Sequence, residues 1–198
     1  MRARAGLVAA ALLAAAGASH AADSAQPQLD RFTATTVAMT PRSETLRVDV
    51  RKWSDDDGRA AVVEALGRGA EAPKALAGLP TLGYVWRSRS SVGYAIKYAH
   101  RVVTPNGERV TLVTDKRLGA YDIERWIADA RPPPAELEYS VVELSLDGGG
   151  RGDGTLSLAA EVKVDAAAGV VSLEAAPGAP RVLTDATRAS NPGSTGGG

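Results

Sequence analysis

Residues 46–51 read Leu46-Arg47-Val48-Asp49-Val50-Arg51. Apolar and charged side chains alternate with a period of two, as in a strand with one buried face and one wet face. No other stretch is as regular, and it sets the expectation of an antiparallel β protein. Working outward, residues 32–39 are rich in Thr, Val and Ala and read as the preceding strand. Thr40-Pro41-Arg42-Ser43 reads as the turn between the two.

Further strands are expected at 81–86, 92–103, 109–115, 137–146, 155–164, 170–174 and 181–184. Residues 147–154 and 165–169 read as turns. Asn106-Gly107 between two apolar runs is a hairpin signal, because a type I′ turn needs positive φ at both positions. With these as the turn residues, Pro105 pairs with Glu108, His100 faces Val113 and Tyr98 faces Asp115. Ser54 reads as a helix cap with Asp57 three residues on, followed by Ala61, Val62, Ala65 and Leu66 at helical spacing. Gly67 and Gly69 weaken its end, and Pro73 begins a shorter turn of helix. Residues 118–130 suit a helical stripe of Ile123, Trp126, Ile127 and Ala130, which Gly119 weakens. The expected fold is α+β and mostly antiparallel: eight or nine strands in hairpins and a meander, with one main helix near residues 55–68. The pattern does not separate an open sheet from a barrel or sandwich.

The chain of 198 residues is sized for one domain. Arg2 and Arg4, an apolar run over 7–18 and Ser19-His20-Ala21 have the form of a cleaved secretory signal. The run is too short to span a bilayer. The expected organisation is a signal at 1–21, a flexible leader at 22–30, one β-rich domain at 31–187 and a disordered tail at 188–198. The expected location is the periplasm or the medium, with no membrane anchor after cleavage. There is no Cys, and formal charge is zero. That balance, without a basic stripe, argues against nucleic acid.

His20 leaves with the signal, so His100 is the one imidazole of the mature protein and the natural neutral-pH base. Alternation puts Tyr94, Ile96, Tyr98 and His100 on one face, with Asp115 diagonal to His100. Tyr94, Tyr98, His100 and Asp115 are therefore the candidate binding residues, against the plainer reading of a structural histidine among aromatics. One histidine cannot build a multi-histidine metal site, and no metal or cofactor is expected. No Gly-x-Ser-x-Gly elbow marks Ser90 or Ser91 as a nucleophile. Asp122 and Glu124 near Trp126 suggest paired carboxylates, but residues two apart do not share a helix face. Glu143 interrupts an apolar strand and is read as facing outward. The Asp147–Asp153 glycine-rich run fails the calcium-loop pattern and reads as a hairpin connection; Arg151-Gly152-Asp153 within it is too short to imply an adhesion motif. Trp53, Trp86 and Trp126 read as core fillers, with a shared aromatic pocket as the alternative.

The succession of residues 48–54, Gly83-Tyr84-Val85, Gly93-Tyr94 with Tyr98-Ala99, the Asn-Gly hairpin, Thr114-Asp115-Lys116 and residues 139–147 resembles small exported bacterial proteins of unknown function. The resemblance covers residues 30–187 and implies no catalytic or binding residue. Two functions are expected in order. The first is an exported, non-catalytic module that binds a small ligand or an envelope protein. The second is a small exported hydrolase using His100 with Asp115.

Overall fold

The computed structural model describes residues 29–37, 43–88, 90–120, 139–157, 160–165, 170–175 and 181–189; for 160–165 and 170–175 it describes the backbone alone. The expected signal, most of the leader and tail, the 118–130 stripe beyond Ala120, and Asp122, Glu124 and Trp126 lie outside these residues.

Strands β1 (Asp30–Thr36), β2 (Thr45–Val50), β3 (Gly83–Arg87), β4 (Tyr94–Thr104), β5 (Gly107–Thr114), β6 (Val141–Asp147) and β7 (Arg151–Ser157) follow one another round a cylinder. A separate hairpin, β8 (Ala160–Asp165) with β9 (Val170–Ala175), comes next in sequence, and β10 (Arg181–Arg188) closes the cylinder between β7 and β1. The result is an eight-stranded antiparallel barrel, mostly meander with one inserted hairpin. The protein is thus mostly β, and closure decides between barrel and open sheet. Closure also removes the unpaired edges that an open sheet would expose.

Alternation fills the interior. Phe32 and Ala34 of β1, Leu46, Val48 and Val50 of β2, and Val142, Leu144 and Leu146 of β6 join one buried cluster. A barrel of eight strands is about wide enough for side chains to fill. Space is tight beside β7. A Cβ at Gly154 would run into the Glu143 carbonyl oxygen and come within 2.8 Å of Leu144 Cδ2. The expected 147–154 turn is therefore shorter, and Arg151 to Gly154 belong to a strand. Asp147 Oδ1 closes the turn by accepting from Gly149 N (2.8 Å) and Arg151 N (2.9 Å).

The helices lie outside the barrel. From α1 (Asp56–Leu66), Val62, Ala65 and Leu66 join Leu76 of α2 (Ala72–Ala77) over Val113, Tyr139 and Val141, with Tyr98 against them. The cap falls one residue later than expected. Asp55 Oδ1 accepts from Gly58 N at 2.9 Å, and that bond holds its carboxyl below the usual range. Ser54 instead ties the loop to β4: its backbone N–H donates to Ala99 O (2.7 Å) and its Oγ accepts from Ala99 N (3.1 Å).

Candidate functional site

The register of β4 against β5 differs from the expected one by two residues. Thr104 pairs with Gly107, Val103 with Glu108 and His100 with Thr111, leaving Pro105 and Asn106 as the loop. Pro pre-sets negative φ at the first central position of a turn, which suits types I and II rather than I′. Asn106 is not at positive φ, whereas Gly107, at φ 146°, carries the unusual backbone as the first residue of β5.

A second departure lies in β4 itself. A bulge between Ile96 and Tyr98 adds a residue and reverses the alternation beyond it. Tyr94 and Ile96 point into the barrel, while Tyr98 and His100 point out, so the four residues do not share a face. Lys97 at the bulge is buried under α2, where Nζ donates to Ala77 O (3.2 Å), Leu79 O (2.8 Å) and Thr81 Oγ1 (3.1 Å).

Tyr94 is fully buried, and its hydroxyl accepts from Gly119 N at 2.8 Å. Tyr98 and His100 stack, with ring centroids 5.9 Å apart and planes at 17°. Asp115 donates its backbone N–H to Ala95 O. It lies four residues along β5 from Thr111, the partner of His100, about 13 Å away. The register therefore separates His100 from Asp115. In the His100 row, Thr111 pairs on its other side with Glu143, which faces outward as expected. Ser90 Oγ is engaged in a local turn with Val92.

Burial pushes the Tyr98 phenol above its ordinary value, and the charge of Arg59 offsets part of the rise. A raised folded-state value means the folded protein holds the proton more tightly. The associated stability is complete below the unfolded value of about 10 and is lost as pH rises through the folded one. Tyr98→Phe is therefore expected to make the alkaline fall in stability shallower, read as the urea midpoint between neutral pH and the alkaline limb. An unchanged alkaline limb would mean that Tyr98 ionises like an exposed phenol.

The charged groups gather elsewhere, at the barrel end formed by the start of β1, the end of β2 and the β4–β5 and β6–β7 turns. Asp30, Arg101, Glu108 and Arg188 all point inward there, because they pair with or lie beside inward apolar positions. Arg188 joins the two acids. Its Nη2 donates to Asp30 Oδ1, and its Nη1 lies 3.3 and 3.2 Å from the Glu108 oxygens. Trp53 Nε1 donates to Asp30 Oδ2 at 2.8 Å, with the indole edge-on to Phe32. Arg101 lies over the Trp53 ring and 3.8 Å from Glu108. Burial works against the Arg188 charge, but the hydrogen bonds and charges of Asp30 and Glu108 outweigh it and hold the guanidinium above its ordinary value.

Above this cluster opens a groove of about 650 Å³. Its walls are the charged residues, the Gly148–Gly150 turn, and an apolar rim of Leu29, Val103 and Pro105. Val103 is 71% exposed, unusual for valine in a strand. The opposite barrel end is closed by an ion pair, with Arg87 Nε and Nη2 each 2.7 Å from an oxygen of Glu44. Sequence reading missed the mouth cluster because its members are isolated in sequence. Only the inward phase of Asp30 and Glu108 marks them, and that phase depends on the register. Trp53 belongs to this mouth and Trp86 to the outer wall, so the two do not share a pocket.

Compared with known proteins, the chain matches no family model, no curated protein and no solved structure.

Proposed function

We propose that the protein is an exported, non-catalytic binding module whose ligand sits in the groove at the barrel mouth. The observation that carries this is the groove itself. Its volume of about 650 Å³ falls within the range of small-molecule sites, and charged groups converge on its floor. The interior below is filled with side chains, which leaves the mouth rather than the lumen as the receptive surface. Export is supported by the signal-like first 22 residues. The lining carries two guanidiniums, Arg101 and Arg188, and three carboxylates, Asp30, Glu108 and Asp147, so both signs of charge are present. A ligand carrying charges of both signs, with an apolar part against Val103 and Pro105, complements it as a short peptide does.

A thermal-shift panel of triglycine, peptidoglycan fragments, neutral sugars, lipids and divalent metals tests the reading. A ligand at 100 times its dissociation constant stabilises by about 2.7 kcal/mol. Stabilisation by the peptide-containing members, lost in Arg101→Gln, is the expected result. Stabilisation by neutral sugars or lipids alone would contradict it.

A further inference from the structure

The outer wall of β1, β2 and β3 carries a second arrangement, independent of the mouth. Arg47 leaves the outer side of β2 and Arg51 follows directly after its end, and Tyr84 and Trp86 leave the outer side of β3, which pairs with β2. The four side chains interleave. The Arg51 guanidinium lies 5.3 Å from the centre of the Tyr84 ring, Tyr84 and Trp86 have centroids 5.4 Å apart, and the Arg47 guanidinium lies 4.3 Å from the Trp86 ring. Gly93 makes room for the indole, since a Cβ there would come within 2.7 Å of Trp86 Nε1.

A guanidinium over an aromatic ring is held by the π face and keeps its N–H donors for an anion. Asp49, between the two arginines in sequence, makes its close ion pair with a third, Arg31, at 2.8 Å, while Arg47 Nε stands 4.0 Å away. Arg47 and Arg51 are four residues apart along β2 and its end, a span of about 13 Å at strand rise. One small anion cannot reach both, but a linear chain with repeated acidic groups can. Hydroxyls lie on the Arg47 side of the same wall: Thr33 pairs with Arg47 and shares a hydrogen bond with Thr187, and Thr35 and Thr45 pair with each other.

We propose that this wall binds an acidic polysaccharide, with Arg47 and Arg51 each taking a carboxylate of the chain and the neighbouring threonines facing its hydroxyls. Charge density favours this polymer over the other polyanions. A duplex nucleic acid calls for many phosphate contacts from a basic stripe, and a bilayer surface for a cluster of four or more basic residues. Single strands bind by stacking bases on open aromatic faces, whereas Trp86 and Tyr84 already have guanidiniums over their rings. Two spaced cations amid hydroxyl groups match a chain that is sparsely charged and rich in hydroxyls.

A galacturonate hexamer titrated into the protein at low salt, read by calorimetry, tests the proposal. Binding is expected to weaken about tenfold for each charge-assisted contact removed, hence about a hundredfold in Arg47→Gln/Arg51→Gln. Arg47→Lys/Arg51→Lys retains the charges but loses the planar fork and is expected to fall between the two. Both sites are exposed, and an unchanged circular dichroism spectrum confirms that each variant is folded. Arg101→Gln, at the mouth, leaves this binding as it was, so the outcome is separable from that of the groove. Three results would overturn the proposal: the hexamer binding no more tightly than a neutral glucose hexamer, equal binding by the glutamine variant, or tighter binding of an oligothymidylate.

Discussion

Arg188→Met is expected to lower folding stability by about 3 kcal/mol, seen as a reduced urea midpoint with an unchanged slope. The reason is what the substitution leaves behind. Asp30 and Glu108 have side chains only 11% and 9% exposed, and Arg188 is the group that touches both. Without it Asp30 keeps the Trp53 indole, but among the described residues Glu108 keeps only Arg101 at 3.8 Å. Removing one partner from a buried ion pair costs far more than the pair contributes, because the remaining charge stays desolvated. Arg68→Met provides the contrast. Its partner Glu64 lies one helical turn away and both side chains are more than half exposed, so the cost is within about 0.5 kcal/mol. Equal losses in the two variants would show that the mouth network is as wet as the helix surface.

Gly107→Ala is expected to cost about 3 kcal/mol by the same measurement. Two causes add. At φ 146° an alanine is strained, a cost of order 1–3 kcal/mol. Its Cβ would also overlap the Leu146 carbonyl oxygen and lie 2.8 Å from Asp147 Cα, both on the neighbouring strand. Backbone cannot swing aside as a flexible side chain can. Asn106→Ala separates this register from a type I′ turn. A I′ turn would need positive φ at Asn106 and would suffer from alanine; in the register described here that position has negative φ and tolerates it. A large loss at Asn106 with a small one at Gly107 would restore the I′ pairing.

These two residues also show where the sequence was legible. Alternation in residues 46–51 identified β2 with its correct inward face, and the stripe of Val62, Ala65 and Leu66 identified α1 with its buried side. Both are local signals, because the period of an element is written in consecutive residues. The hairpin at Asn106 was located, but its register was not. Pro105 moves the loop by one position at each strand end, and that small change displaces every cross-strand neighbour by two. The bulge in β4 was not legible at all. It is fixed by Lys97 reaching three acceptors around the end of α2, a contact with residues 16 to 20 positions away. Together the two effects dissolve the expected grouping of Tyr94, Tyr98, His100 and Asp115. The mouth cluster was hidden for a related reason. Asp30 and Arg188 meet only because β10 closes the barrel against β1, and closure between the ends of a chain has no local signature.

The binding account stands or falls on the barrel mouth, and amide chemical-shift mapping of the protein with triglycine addresses it directly. The prediction is a saturable set of shifts confined to residues around the groove, Arg101, Glu108, Gly149 and Arg188 among them, and absent in Arg101→Gln. Shifts centred on Tyr98 and His100 instead, or no saturable shift at the mouth with triglycine in large excess, would contradict it.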